Sequence, residues 1–389
     1  MSSSLSFAPS EQLPWHVLSS PAAKWAVQPS FVVGEYLFIA LALALLLHAW
    51  KQGSERRKHL FVWVAALLAG TANDWIFMLL PMVENFWQAQ ATVMLTPRMP
   101  LYIPCVYVCF MYLPTVATSR LGLPPLSRAA LSGLAGISVY APYDIIGAKF
   151  LWWTWHDTDK PISLRLLGVP VGSTVWVITF VATFAWLVGR VTDRDPAVSR
   201  RSFAKGIFLV MASCTLLMMV QMAPLQQLDG GIPGPRGLAA LVVLYGTLAL
   251  WGWRRRTPEA PRRSDRLLLP AVLVYFSTLT LIMASFDPAT HRSESLHQTY
   301  GPCDVLATDI AGNTRRKFLC ASLFDEDFSF DCVRELPAEG SRWYTVCGRA
   351  HTSFSRWMLG VSALSVLGAA LYSYLLGALR RAPPPTESQ

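Results

Sequence analysis

Residues Phe31 to Trp50 read FVVGEYLFIALALALLLHAW, and Lys51, Arg56, Arg57 and Lys58 follow them. A helix rising about 1.5 Å per residue needs about 20 residues to cross the roughly 30 Å hydrocarbon core of a bilayer. One carboxylate, Glu35, interrupts the run near its start, where it is expected to reach water. An apolar block of this length with a basic stop is a membrane helix whose basic end faces the cytoplasm. Residues 1–30 are Ser- and Pro-rich and nearly uncharged, without the basic region and short apolar core of a cleavable leader. The block is therefore expected to insert and stay.

The same pattern recurs outward along the chain, in Leu60–Pro81, Leu101–Ser119, Ala129–Phe150, Val171–Val188, Ile207–Ala223, Gly237–Trp253, Leu267–Phe286 and Trp357–Leu379. Composition agrees, with 53% of 389 residues hydrophobic and 15% charged, against about a quarter charged in soluble domains. The expected fold is all-α, a polytopic integral membrane bundle of about nine helices with little room for a soluble domain. Its parts are a tail (1–30), eight helices (31–286), a polar loop (287–356), a ninth helix (357–379) and a second tail (380–389).

A formal charge of +9 would suit nucleic acid, but the basic residues sit in short loops beside apolar blocks, so no nucleic-acid partner is expected. Alternate short loops and the C-terminal tail hold 4, 2, 5, 6 and 2 Lys or Arg, against 1, 1, 3 and 1 on the other side. The richer side is cytoplasmic by the positive-inside rule, which puts the N-terminus outside and the C-terminus inside. Cys303, Cys320, Cys332 and Cys347 fall within 45 residues of the loop assigned to the outer face. An even number there predicts two disulfides, with three pairings left open. Zinc is disfavoured because no Cys-x-x-Cys spacing occurs and His291, His297 and His351 lie outside the cluster. No metal or cofactor is expected. Cys105, Cys109 and Cys214 sit in apolar blocks and read as packing residues.

Ionisable groups inside membrane helices cost about 2.5–3.5 kcal/mol on insertion scales and face the bundle interior. Asp74, beside Asn73, and Asp144 stand out, at similar depth in two helices of the same direction. Asp144 shares a helical stripe with Gly133, Gly136, Tyr140 and Gly147, whose glycines admit a neighbouring helix. Glu84, Gln88 and Arg98 lie in one connection on that side, and Lys149, His156, Asp157 and Asp159 in the next. Trp152, Trp153 and Trp155 fall where an interfacial aromatic belt belongs, and that reading fits two of the three. Met211, Met218 and Met222 read as packing.

The stretch Asp144, Trp153-Thr154-Trp155-His156-Asp157, Gly168-Val169-Pro170 and Trp176 resembles integral-membrane carotenoid-biosynthesis proteins of the bisanhydrobacterioruberin-hydratase type. Glu84, followed by Pro100-Leu101-Tyr102-Ile103-Pro104, is similar too. The likeness covers about Leu60 to Trp186 and departs in a longer loop before Gly168, in Ser173 where Asn is usual, and in the four-cysteine loop. The chain also resembles an uncharacterised eukaryotic multi-pass family known as a domain of unknown function.

The first resemblance implies acid-catalysed addition to a double bond of an isoprenoid or similar lipid. Asp144, Glu84 and Asp74 would supply the acid, His156 or Asp157 would orient water, and the faces of Trp153 and Trp155 would steady a cation. Asn73, Gln88 and Arg98 complete the expected binding site. The partners would be membrane lipid and a hydrophobic small molecule, in the plasma membrane or an endomembrane. Two other classes fit the same residues. One is a transporter or receptor with Arg98, Lys149 and Glu84 lining an outer vestibule; the other is a structural protein in which the polar groups only lock helices together. No P-loop, dinucleotide fingerprint or His-Glu-x-x-His motif occurs.

Overall fold

A computed structural model describes residues 13–79, 85–155, 160–257, 264–308, 312, 314–320 and 328–377. Glu84, His156, Asp157 and Asp159 lie outside these residues. A short helix α1 (Pro21–Val27) precedes α2 (Pro29–Trp50), α3 (Arg56–Leu79), α4 (Tyr102–Ser119) and α5 (Pro125–Lys149). After the single turn α6 (Lys160–Ser163) come α7 (Val171–Thr192), α8 (Arg200–Gln227), α9 (Pro235–Arg254), α10 (Leu268–Ser285) and α11 (Phe354–Leu375). Among the described residues nine helices, all but α1 and α6, are long and apolar enough to cross a membrane. The chain is thus a multi-pass membrane protein. Proline occupies the first helical turn of α2, α5 and α9, where its missing N–H has no intrahelical partner to lose. Several helices, α8 above all, run past their apolar blocks into polar flanks, because the backbone ladder continues after hydropathy has fallen.

The chain is mostly helical, as expected, but its connections are not all irregular. Strand β1 (Phe86–Gln88) pairs antiparallel with β2 (Trp153–Trp155) across one end of the bundle. Strands β3 (Arg165–Leu166) and β4 (Val169–Pro170) form a hairpin whose two central residues, Leu167 and Gly168, have φ of 53° and 79°. Positive φ at both positions is the primed turn that matches strand twist, and glycine takes it without strain. Between α10 and α11, β5 (Arg292–Leu296), β8 (Phe328–Ser329) and β9 (Trp343–Gly348) form a sheet in the order β5-β9-β8, beside a hairpin of β6 (Leu306–Thr308) and β7 (Thr314–Arg316). Disulfides Cys303–Cys320 and Cys332–Cys347 close this cap. Tyr300, Phe328, Phe330, Tyr344 and Val346 make its small core, seated on Leu151 at the bundle end.

Helix α5 is central and packs against α4, α7, α9 and α11. Its small residues matter at the α7 contact. A Cβ on Gly133 would lie 2.4 Å from the Ile178 carbonyl oxygen, and one on Gly136 would lie 3.0 Å from the Val181 methyls. The end of the bundle away from the cap carries the basic loops and is tied by Asp265, which accepts from Arg120 at 3.0 Å and bonds His48 at 3.1 Å. Burial alone would raise the Asp265 carboxyl. Its hydrogen bonds with His48 and with the Leu268 backbone N–H outweigh burial and hold it well below the ordinary carboxylate range.

Two expectations are overturned at the cap end. Trp152 and Trp153 are 0% and 4% exposed, so they belong to the interior and not to an interfacial belt. The β1–β2 pairing folds this segment back over the bundle instead of letting it run along the membrane surface. Glu35 does not reach water. It is 0% exposed, and its carboxylate accepts from the Thr92 N–H (2.9 Å), the Thr92 hydroxyl (2.8 Å) and the Val93 N–H (3.1 Å). Glu35→Ala would strand these donors and is expected to cost about 1–3 kcal/mol in thermal unfolding of the purified protein. No loss would show that the connection relaxes onto other acceptors.

Candidate functional site

Under the β1–β2 ribbon, α3, α4, α5, α7 and α8 surround a cavity of about 560 Å³. Its deep wall is a hydrogen-bonded set on three helices. The Tyr107 hydroxyl of α4 donates to Asp74 of α3 and accepts from the Asn73 amide at 3.2 Å. The Thr215 hydroxyl of α8 donates to the Asn73 carbonyl at 3.1 Å. Asn73 therefore orients the tyrosine that holds Asp74. Adjacent positions of one helix turn both groups toward the same neighbours because α3 is packed by α4 on one side and α8 on the other.

The second carboxylate sits behind the wall. Asp144 is 1% exposed, and its Oδ2 accepts from the Ser173 hydroxyl at 2.6 Å. Ser173 lines the cavity from the first turn of α7, placed there by the β3–β4 hairpin that starts the helix at Val171. The N-terminus of a long helix carries partial positive charge, which favours a carboxylate beside its first turn. Asp144 Oδ1 is buried without a hydrogen-bond partner in the protein. The indole N–H groups of Trp153 and Trp155 are likewise buried and unpartnered, and both rings line the cavity. Buried polar atoms are nearly always paired, so three orphans around one cavity require an explanation.

The remaining wall is aromatic. Tyr140 packs edge-on to Phe110 at 4.9 Å and to Trp176 at 6.0 Å, and Tyr143 meets Trp153 at 5.0 Å. Along α8 the lining runs from Met218 to Gln227. Met218 is fully buried, while Met219 is 48% exposed and still lines the cavity. Met219 and Ala223 of α8 line the cavity and are also exposed on the apolar outer surface of the bundle, and Phe77 of α3 lines it while half-buried. Asn85, Gln226 and Gln227, together with Arg315 of the cap, also line it.

Of the residues singled out from sequence, Asn73, Asp74, Gln88, Trp153 and Trp155 line this one cavity. Asp144 reaches it through Ser173. Arg98 lies apart, donating to the carbonyls of Met78 (2.9 Å) and Phe86 (3.3 Å) with its guanidinium over Trp87. Lys149 is 1% exposed, its ammonium 4.3 Å from the Trp357 ring centre, and it lines no vestibule. Glu84, His156 and Asp157 fall outside the described residues, as do the other residues of 80–84. Tyr107, Tyr140, Gln226, Gln227 and Arg315 were not expected. The Gln226-Gln227 pair carried a weak signal, two amides in the last turn of an apolar helix. Among the described residues no group of three or more His, Cys, Asp or Glu could hold a metal.

The chain matches a family model described as a domain of unknown function, DUF7802, over residues 15–225 and 243–376. No curated protein and no solved structure matches it. The matched segments take in most of the bundle, the cap, both carboxylates and the tryptophan ribbon. The chain belongs to the DUF7802 family.

Proposed function

We propose that this protein is an intramembrane enzyme that admits a lipid or isoprenoid-like molecule from the membrane between α3 and α8 and modifies it with the carboxyl groups of Asp144 and Asp74. The observation that carries the reading is an aromatic-walled cavity whose lining includes exposed apolar residues of α8, with the Asp74 carboxyl in its wall and the Asp144 carboxyl behind it, bonded to the lining residue Ser173. The charge bias and the disulfides support a cap on the extracytoplasmic side, so the substrate would enter from the outer leaflet.

In this reading a carboxylic acid gives its proton to one carbon of a double bond. The other carbon becomes cationic and faces the rings of Trp176 and Tyr140, whose electron-rich faces attract positive charge. Water adds through oxygen, and its surplus proton returns to the carboxylate, so the acid is regenerated. Ser173 and Tyr107 hold the two carboxyl groups in place between turnovers. A receptor-like binding protein is the second reading, favoured by the two indole N–H groups, which can hold a ligand without reacting.

The experiment is a lipid profile of cells lacking the protein and rescued with wild type, Asp144→Asn or Asp74→Asn at matched membrane levels. Loss of an acid group is expected to slow product formation about 10²–10⁴-fold. A missing product restored by wild type and by neither variant supports the enzyme. Full rescue by both variants rejects it.

A further inference from the structure

The cavity lining has two chemically different parts. Asp74, Tyr107 and Phe110 come from α3 and α4, whereas Gln226, Gln227, Asn85 and Arg315 come from the last turn of α8, the residue before β1 and the cap hairpin. Arg315 is the one Lys or Arg among the described lining residues, and it comes from the cap and not from the bundle. It is 6% exposed, although it sits on a two-stranded hairpin whose other residues are mostly open to solvent. A guanidinium taken out of water is costly unless it is compensated by charge and hydrogen bonds. Arginine carries five N–H donors in a planar fork and no acceptor, so it can make several contacts at once.

The hairpin is held where it is by covalent and polar ties. Cys303–Cys320 closes the loop that contains both strands. The Arg316 guanidinium donates to the Cys303 carbonyl at 2.5 Å, and the Gln298 amide donates to the Lys317 carbonyl at 3.1 Å. The two residues that follow Arg315 are thus anchored, Thr314 before it is paired with Thr308 across the hairpin, and Arg315 itself is buried between less buried neighbours, as alternation along a strand allows. A buried guanidinium on a clamped hairpin is a fixed fork, the geometry that matches a planar or tetrahedral anion.

We propose that Arg315 recognises an anionic headgroup, a phosphate or a carboxylate, on the lipid that occupies the cavity. The chain of that lipid lies toward the apolar lining of α3 and α8 and the aromatic wall. The side-chain amides of Gln226, Gln227 and Asn85 supply further donors at the level of the head. The cap is then a specificity element, and the Cys303–Cys320 disulfide acts by keeping its hairpin over the cavity. The inference rests on the proposed lipid site but not on any reaction there.

The test uses the full-length protein in lipid nanodiscs and four probes: a C15 or C20 isoprenyl monophosphate, the matching carboxylic acid, the matching alcohol, and inorganic phosphate. Binding is read from the tryptophan emission of the cavity wall. At least one lipid anion is expected to bind about tenfold or more tighter than the alcohol, the scale of a charge-assisted hydrogen-bonded pair. Arg315→Gln should remove that preference and leave alcohol affinity unchanged, and Arg315→Lys should keep part of it. Opening the loop with Cys303→Ser and Cys320→Ser together should mimic Arg315→Gln. Equal binding of anion and alcohol to wild type overturns the proposal, and that outcome needs no variant to fold. So does equal weakening of all lipid probes by Arg315→Gln, or inorganic phosphate competing as well as the lipid anions. Anion preference without any product in the rescue experiment would retain this inference and remove only the enzymatic reading.

Discussion

Truncating Trp152 to alanine is expected to destabilise the protein by about 3–5 kcal/mol, the range for removing a fully buried tryptophan. Its ring is 0% exposed and packs on Phe31 at 5.8 Å and Tyr143 at 6.0 Å, and its indole N–H donates to the Ser30 hydroxyl at 3.1 Å. One α2 glycine makes room for it. A Cβ on Gly34 would lie 2.1 Å from the Trp152 ring, so Gly34→Ala alone must push the ring aside and should cost about 1–3 kcal/mol. Combining the two substitutions separates contact from general damage. With the ring gone, the added methyl has space to occupy, and Gly34→Ala in the Trp152→Ala background should cost nothing or recover part of the loss. Denaturation midpoints of the four proteins in one detergent give the coupling energy directly. Additive losses would mean that the two residues do not share the space assigned to them.

That pair also shows why the membrane helices could be read from sequence and the tryptophan ribbon could not. Length, hydropathy and flanking charge are local quantities, and each of the nine apolar blocks carries all three. The four cap cysteines and the small-residue stripe of α5 were legible for the same reason, since period and parity can be counted along the chain. A tryptophan at the end of an apolar block looks alike whether it lies in an interface or under a ribbon. What decides is Gly34, more than a hundred residues earlier, and the β1 strand that pairs with β2. Glu35 fails in the same way, because its partners Thr92 and Val93 are 57 and 58 residues away. The carboxylates of the cavity were found because a charge in an apolar helix is conspicuous by itself. Tyr107, Tyr140 and Arg315 were missed because tyrosines in apolar helices and arginines in polar loops are ordinary until the fold brings them to one cavity.

Acid is expected to loosen the cap from the bundle, and two histidines set the range. His291 is 0% exposed, bonded to the Asp287 carbonyl at 2.9 Å and packed on Phe150 at 5.0 Å. His297 is 2% exposed, stacked on Tyr344 at 4.8 Å, and bonded to Ser295 at 3.1 Å and to Thr154 of the ribbon at 3.3 Å. Burial pushes both imidazoles down from 6.5 to about 4. Above pH 6.5 each ring is neutral whether the cap is docked or open, so neither contributes a pH dependence. As pH falls from 6.5 toward 4 the open cap binds protons that the docked cap refuses, and docking weakens by up to about 3 kcal/mol per histidine. Below pH 4 both states are protonated and the loss levels off. Lys24, which lies near His291 and which burial pushes down to about 7, does not alter this slope. It is charged in both states throughout the window, and its own effect falls between pH 10.5 and 7. Amide exchange of the loop between α10 and α11, followed from pH 7 to 4 in nanodiscs, should show the cap opening while the membrane helices stay protected. His297→Gln should remove about half of the slope, and adding His291→Gln most of the rest. An unchanged slope in the double variant would assign the acid response to carboxylates instead, and would free the two histidines from any part in holding the cap over the cavity.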